Sequence, residues 1–301
     1  MRIATLRLHN TRRSAIILGL LAGVLLAIRS IAWAAVEPHP FKALQTIYTG
    51  EFGVDFPAGF AYSSRSSEFL VWQPASKSSD PIRIKGYGAS AEKAYLPAGA
   101  ADSPAAAFNS ITGELVWVDG YSLQQAKIFD GLTNAAQSHD IRSLAIETPT
   151  GLAVNPVSGA IYILDAQGLH IHALKLDPVG SVIDSAAHDI INLRMGVSAD
   201  QDLKGLAFNP VANSFFTANT AQQVIYEISL NGDVLSSMDI GSLGLANIQG
   251  LNFAPSSDQT DDPAELSSFV LDGGAENTDP TLQRSGQIIE LSLTPTTLPW
   301  G

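Results

Sequence analysis

Cysteine is absent from the 301 residues, which excludes disulfides, zinc thiolate centres, cysteine nucleophiles and a lipidated N-terminal cysteine. Positive charge is scarce as well, with 17 Lys and Arg against 29 Asp and Glu. Five of those cations, Arg2, Arg7, Arg12, Arg13 and Arg29, precede residue 35, where no acid occurs. The remainder therefore carries 12 − 29 = −17 formal charges, which disfavours binding to a phosphate backbone or to anionic lipid. Two motifs are missing too: a Gly-x-Ser-x-Gly nucleophile elbow and an ordered Asp-x-Asp-x-Asn-Gly calcium loop. What is present, 46% hydrophobic and 15% charged residues, suffices for one substantial core and is too apolar for a disordered chain.

The first 34 residues read as an address. Cations up to Arg12-Arg13 are followed by a nearly continuous apolar run from Ser14 to Ile28 and then by Ala32-Trp33-Ala34. That is the small-x-small form of a signal-peptidase site and predicts export with cleavage after Ala34. The alternative is an uncleaved anchor, in which residues 14–36 span about 30 Å of hydrocarbon while Arg29 reaches the interface. Residues 35–41, containing Glu37-Pro38-His39-Pro40, read as a linker in which His39 is solvated. Residues 42–294 form the main domain and 295–301 a tail.

Within the main domain one phrase recurs. It reads Thr150-Gly151-Leu152-Ala153-Val154-Asn155-Pro156, then Lys204-Gly205-Leu206-Ala207-Phe208-Asn209-Pro210, then Gln249-Gly250-Leu251-Asn252-Phe253-Ala254-Pro255. Weaker copies begin at Gly59 and Ala106, so the steps between anchors are 47, 45, 54 and 45 residues. Each step carries several short strands, the signature of a propeller blade. The clearest copy runs from Gly205 through the Asn209-Pro210 turn, a strand at 214–218, a strand at 224–230 and an Asn231-Gly232 hairpin into a fourth strand. In the third copy the fourth strand is expected at Ser181-Val182-Ile183. The glycine at each inner strand is explained by crowding at the axis, where a missing Cβ permits close backbone approach. The last copy lacks one strand, and the alternating segment Ala43 to Thr49 is available to supply it. The expectation is an all-β propeller of five four-stranded blades closed by an N-terminal strand. Six blades remain the alternative, through Lys77 to Gly99 or the 54-residue step.

The Gly-Leu-Ala-Phe-Asn-Pro phrase, followed by Phe-x-x-Asn or Tyr-Ile-Leu-Asp, resembles NHL-like exported bacterial β-propellers over roughly Ala43 to Leu293. That resemblance implies the fold and is weak for activity. Calcium-dependent lactonase propellers, which the chain superficially resembles, hold their ion with acidic and Asn side chains near the inner strands. Here the residues before the anchors are Ala58, Ala105, Thr150, Lys204 and Gln249, none of them acidic.

Four further groups bear chemistry-capable residues. His170 and His172, two apart on a strand, share one face but have no acid nearby in sequence. His139-Asp140 and His188-Asp189 are local pairs. Asp258, Asp261, Asp262 and Glu265 cluster in an insertion of the last copy and read as a solvated acidic loop. Asp272, Glu276 and Asp279 are the calcium candidates, since a hard cation needs several convergent oxygens. Trp72 and Trp117, at matching places in two copies, read as packing between blades. The expected function is that of a non-catalytic exported propeller binding another protein in the periplasm or at the cell surface, tethered to a membrane complex if the anchor is kept. The alternative is a divergent metal-dependent esterase or lactonase.

Overall fold

Five neighbouring sheets are stacked around an axis because their middle strands are apolar on both faces. In the second strand of the first blade, Phe69 and Val71 enter one core cluster while Leu70 and Trp72 enter the next. The same alternation sends Leu115 and Trp117 one way and Val116 and Val118 the other. A pleated strand with both faces buried must read as a continuous apolar run, and five such sheets produce five inter-blade clusters.

The computed structural model describes residues 39–40, 42–74, 80–97, 99–103, 105–128, 136–175, 188–195, 202–258, 260, 262, 265–276 and 283–292. All of them belong to the compact unit spanning 37–301. Residues 1–36, with the export or anchor segment and the Ala34 site, lie outside the described residues, as does the 295–301 tail.

Each blade is a four-stranded antiparallel meander. Blade 1 consists of Gly59–Ser63, Glu68–Trp72, Ile82–Lys85 and Ser90–Lys93. Blade 2 consists of Ala106–Asn109, Glu114–Asp119, Ser122–Ala126 and Gln137–Asp140. Blade 3 consists of Pro149–Val154, Ile161–Asp165, His170–Leu174 and Asp189–Asn192. Blade 4 consists of Leu203–Asn209, Ser214–Asn219, Val224–Ser229 and Val234–Asp239. Blade 5 takes Ile248–Pro255, Leu266–Asp272 and Gln287–Leu291 from its own repeat and Ala43–Tyr48 from the start of the domain. The N-terminal strand closes the ring as expected, with Ile47 opposite Ile288. The first strands of the blades neighbour one another in cyclic order, the fifth against the first, and Asn252 Nδ2 donates to the Phe60 carbonyl across that join (3.2 Å).

The described parts of the two stretches considered for a sixth blade form outer strands of blades 1 and 3. One expectation is corrected. The fourth strand of blade 3 is Asp189–Asn192, and residues 181–183 lie outside the described residues. His39 and Pro40, assigned to the linker, pair in parallel with Met238 and Asp239 on the edge of blade 4.

The anchor in blade 2 also shifts by one residue. Asn109, Asn155 and Asn209 make the same turn, each Oδ1 accepting from the amides two and three residues on. Counting back four residues gives Gly151 and Gly205 in blades 3 and 4 but Ala105, not Ala106, in blade 2. Trp72 and Trp117 are consequently one register apart and point to opposite faces of their own sheets. That is why both enter the single cluster between blades 1 and 2, where they are 1% and 0% exposed.

At the axis the glycines work as expected. A Cβ on Gly151 would lie 2.5 Å from the backbone of both Gly205 and Leu206, and one on Gly205 would lie 2.5 Å from Leu251 N. Gly205 additionally has φ = +67°, a conformation that costs an L side chain about 1 kcal/mol or more.

Candidate functional site

The two ends of the axis differ. At the glycine end the channel encloses only about 10 Å³, on the order of a single water. At the opposite end, where the first strands run into their turns, a cup of about 230 Å³ opens. Its walls come from equivalent positions of successive blades, including Tyr62, Phe108, Leu152, Leu206, Phe208 and Phe253, and Pro156, Pro210 and Pro255 form its lip. Among the described residues no charged side chain lines it. Burial in these apolar surroundings raises the Tyr62 hydroxyl above the ordinary tyrosine value.

Around the cup, three consecutive turns each hold an aliphatic side chain out into solvent. Ile111, Val157 and Val211 occupy the same place, two residues after the turn asparagine, and are 47%, 81% and 81% exposed. The asparagine side chain fixes each turn from below, and in blades 3 and 4 the intervening Pro156 and Pro210 fix φ. The turns of blades 1 to 3 are tied to one another. Arg65 of blade 1 donates through Nε to the Ser110 carbonyl (3.0 Å) and through its guanidinium to the Ile111 carbonyl. Ser110 Oγ donates to the Pro156 carbonyl (3.4 Å), and Ile111 lies against Gly159 of the next turn. An exposed aliphatic therefore recurs at one place on three neighbouring turns.

Blade 5 replaces its turn with the acidic insertion between Pro255 and Leu266, both of which line the cup. Asp258, Asp262 and Glu265 are exposed, and Asp261 lies outside the described residues. The base of the insertion is pinned by Glu290, 1% exposed, whose carboxylate accepts from Ser257 N (2.9 Å) and from Ser257 Oγ. Asp258 accepts from Thr260 N (2.9 Å) and Oγ1 (2.7 Å), which together with nearby Lys42 hold its carboxyl below the ordinary range.

The calcium candidates are placed differently. Asp272 is 1% exposed and accepts from the amides of Ala246, Asn247 and Gly274 (2.8–3.2 Å). Asp165 occupies the same blade position and accepts from the amides of Glu147 and Thr148 (3.1 and 3.0 Å). Each carboxylate thus staples the loop entering its own blade, on the glycine side of the ring. Glu276 lines a separate cavity of about 190 Å³ with Phe56, Asn247 and Gly273, and Asp279 lies outside the described residues. Among the described residues no three His, Asp or Glu side chains converge as a metal-holding group.

The histidines of blade 3 do have an acid nearby, contrary to the sequence reading. His172 Nε2 lies 3.9 Å from Asp165 Oδ2, and its Nδ1 lies 2.8 Å from His188 Nε2. The two rings stack at 5.0 Å. Burial, with the neighbouring His188, lowers the pKa of His172 to about 4, and burial lowers that of His188. His139-Asp140 sits on the outer strand of blade 2, where Asp140 pairs with Arg142.

Solved structures share this architecture at low identity. The glutaminyl cyclase of Myxococcus xanthus is similar with a TM-score of 0.52 at 11% identity, over 85% of this chain and 97% of that one. The chain is a β-propeller. Virginiamycin B lyase of Staphylococcus aureus (TM-score 0.43, 11% identity, 84% and 100% coverage) and the calcium-binding protein regucalcin of Agrobacterium tumefaciens (0.45, 11%, 79% and 77%) are also similar. No family model matches the chain, and no curated protein matches it. At 11% identity the likeness to the cyclase is one of fold alone.

Sequence reading missed Ile111, Val157 and Val211. The available signal was an aliphatic residue recurring two places after the turn asparagine, in turns where polar residues are the rule. It named His188 only beside Asp189 and missed its contact with His172, because nothing in a 16-residue separation marks them as neighbours.

Proposed function

We propose that the propeller is a non-catalytic recognition module of the NHL-like kind, exported to the periplasm or cell surface, and that it binds another protein through the cup face. One observation carries this reading: three neighbouring turns, the first two hydrogen-bonded to one another, hold Ile111, Val157 and Val211 toward solvent around an apolar cup. Holding Val157 and Val211 in water forgoes burial that would stabilise the fold by up to roughly 1.5–3 kcal/mol each, and half-exposed Ile111 forgoes less. A partner that covers them recovers that contribution. Retention of the segment 14–36 would tether the module to a membrane.

Site-specific photocrosslinking in the native cell tests the reading. A benzoylphenylalanine at position 157 or 211 is expected to give discrete crosslinked protein species, and one at Tyr121, 68% exposed at the opposite end of blade 2, is expected to give none. Equal labelling from both faces, or none from positions 157 and 211 combined with chelator-sensitive ester or lactone hydrolysis by the purified protein, would replace it with the hydrolase reading.

A further inference from the structure

Resting on that reading of the cup, we propose that the segment seated there when no partner is bound is the chain's own tail, residues 293–301, with the Trp300 indole in the cup. At about 230 Å³ the cup is smaller than the roughly 300–1,000 Å³ of sites for drug-sized ligands, and among the described residues its walls carry no charge. One aromatic side chain suits such a space, because aromatics bring a large apolar area on a single residue. An indole also brings an N–H that needs an acceptor once buried. Asn252 lines the cup, and with its Nδ2 donating to the Phe60 carbonyl (3.2 Å) it carries that acceptor in its side-chain carbonyl.

The path of blade 5 delivers the tail to this face. Gln287–Leu291 runs toward the cup end of its sheet, antiparallel to Leu266–Asp272, whose first residue lines the cup. Leu291 stands opposite Ser268, and Ser268 stands opposite the wall residue Phe253. The exit is therefore two strand spacings, about 9–10 Å, from the wall. Ser292, whose amide donates to the Lys42 carbonyl (3.1 Å), is the last described residue. Trp300 lies eight residues further on (300 − 292), a reach of about 26 Å when extended, which leaves slack for a turn back over the face. Residues 293–301 contain no charge, like the walls, and place Leu298, Pro299 and Trp300 in succession. Pro295 and Pro299 narrow the conformations that docking must fix. A tether this short gives the tail an effective concentration on the order of 1 mM, so an intrinsic Kd of about 0.1 mM keeps the cup about nine-tenths filled. A partner must then displace the tail.

Photocrosslinking within the full chain tests this. Benzoylphenylalanine at position 300, irradiated at low protein concentration, is expected to give a monomeric product crosslinked in the peptides that carry Phe108, Leu152, Leu206 or Phe253. A fluorescein-labelled peptide of sequence 293–301 should bind the Trp300→Ala variant about tenfold more tightly than it binds the parent, because the competing tail is gone. Adding Val154→Glu, which puts a carboxylate on a half-buried position of the cup wall, should abolish that binding. The crosslink map is read with the wall unaltered, so it decides the matter even where that substitution lowers the melting temperature. Crosslinks between two molecules, crosslinks confined to other surfaces, no crosslink, or equal peptide binding by parent and Trp300→Ala overturns the proposal. Partner crosslinks from positions 157 and 211 in cells without tail crosslinks from position 300 would remove this inference alone. Tail crosslinks with no partner species from positions 157 and 211 would remove the recognition reading and leave the cup an internal contact.

Discussion

Replacing Gly151 by alanine isolates the crowding at the axis from backbone strain. Gly151 does not have the left-handed φ of Gly205, so alanine is conformationally acceptable there and the penalty is steric. The added Cβ would meet Gly205 C and Leu206 N at 2.5 Å, where contacts below 3.0 Å are essentially never seen. The obstacles are backbone atoms of the adjoining blade and cannot rotate away. The first strands of blades 3 and 4 must part by about 0.5 Å (3.0 − 2.5), an overpacking of a dense interior that costs roughly 1–3 kcal/mol. With a melting shift of about 2–4 °C per kcal/mol for a domain of this size, about 2–3 kcal/mol predicts a fall of about 5–10 °C by scanning calorimetry. Gly120→Ala is the control. Gly120 has φ = +57°, and a Cβ there would find nothing within 4 Å, so it should lose only the left-handed penalty of about 1 kcal/mol, or roughly 2–4 °C. A Gly151→Ala protein that melts with the parent, or above Gly120→Ala, would refute the crowded-ring argument.

Other expectations follow from the same packing. Because the folded-state pKa of His172 is lowered to about 4 from an ordinary 6.5, the unfolded chain takes up its proton first, and stability falls as pH drops from about 6.5 toward 4. At about 1.36 kcal/mol per unit the loss approaches about 3 kcal/mol, and a His172→Gln variant should show a visibly flatter melting temperature against pH over that window. Ile47→Ala removes buried contacts from the closure strand, where Ile47 is 4% exposed against Ile288; denaturant titration should show a loss of about 2–5 kcal/mol. Asp272→Ala strands three backbone amides, so its melting temperature should fall equally in calcium and in chelator. A drop seen only with calcium present would place the residue in a cation site instead.

The ring was legible in sequence because each blade repeats a local rule. Tyr162-Ile163-Leu164-Asp165 and Phe215-Phe216-Thr217-Ala218-Asn219 carry both the two-sided burial and the polar residue that ends the strand in a few consecutive positions. The closure was legible for a related reason: Ala43 to Thr49 alternates like a strand and the last repeat lacks one. Blade 2 misled by one position because Ala105, Ala106 and Ala107 are identical in sequence, and only the Asn109 turn sets the register. The candidate site was largely invisible. The cup is assembled from segments of all five blades, and no local pattern ties His172 to His188, 16 residues away.

The pairing of Ala43–Tyr48 with Gln287–Leu291 has a consequence for assembly. A strand made at the outset finds its partner only when the last repeat has been synthesised, so the sheet that locks the circle cannot form until nearly the whole domain is available. Blades 1 to 4 can gather as each is completed, but their apolar flanks next to blade 5 stay open meanwhile. The nascent domain therefore stays sticky at one seam until its final strand arrives, and protease resistance is expected to appear late and all at once.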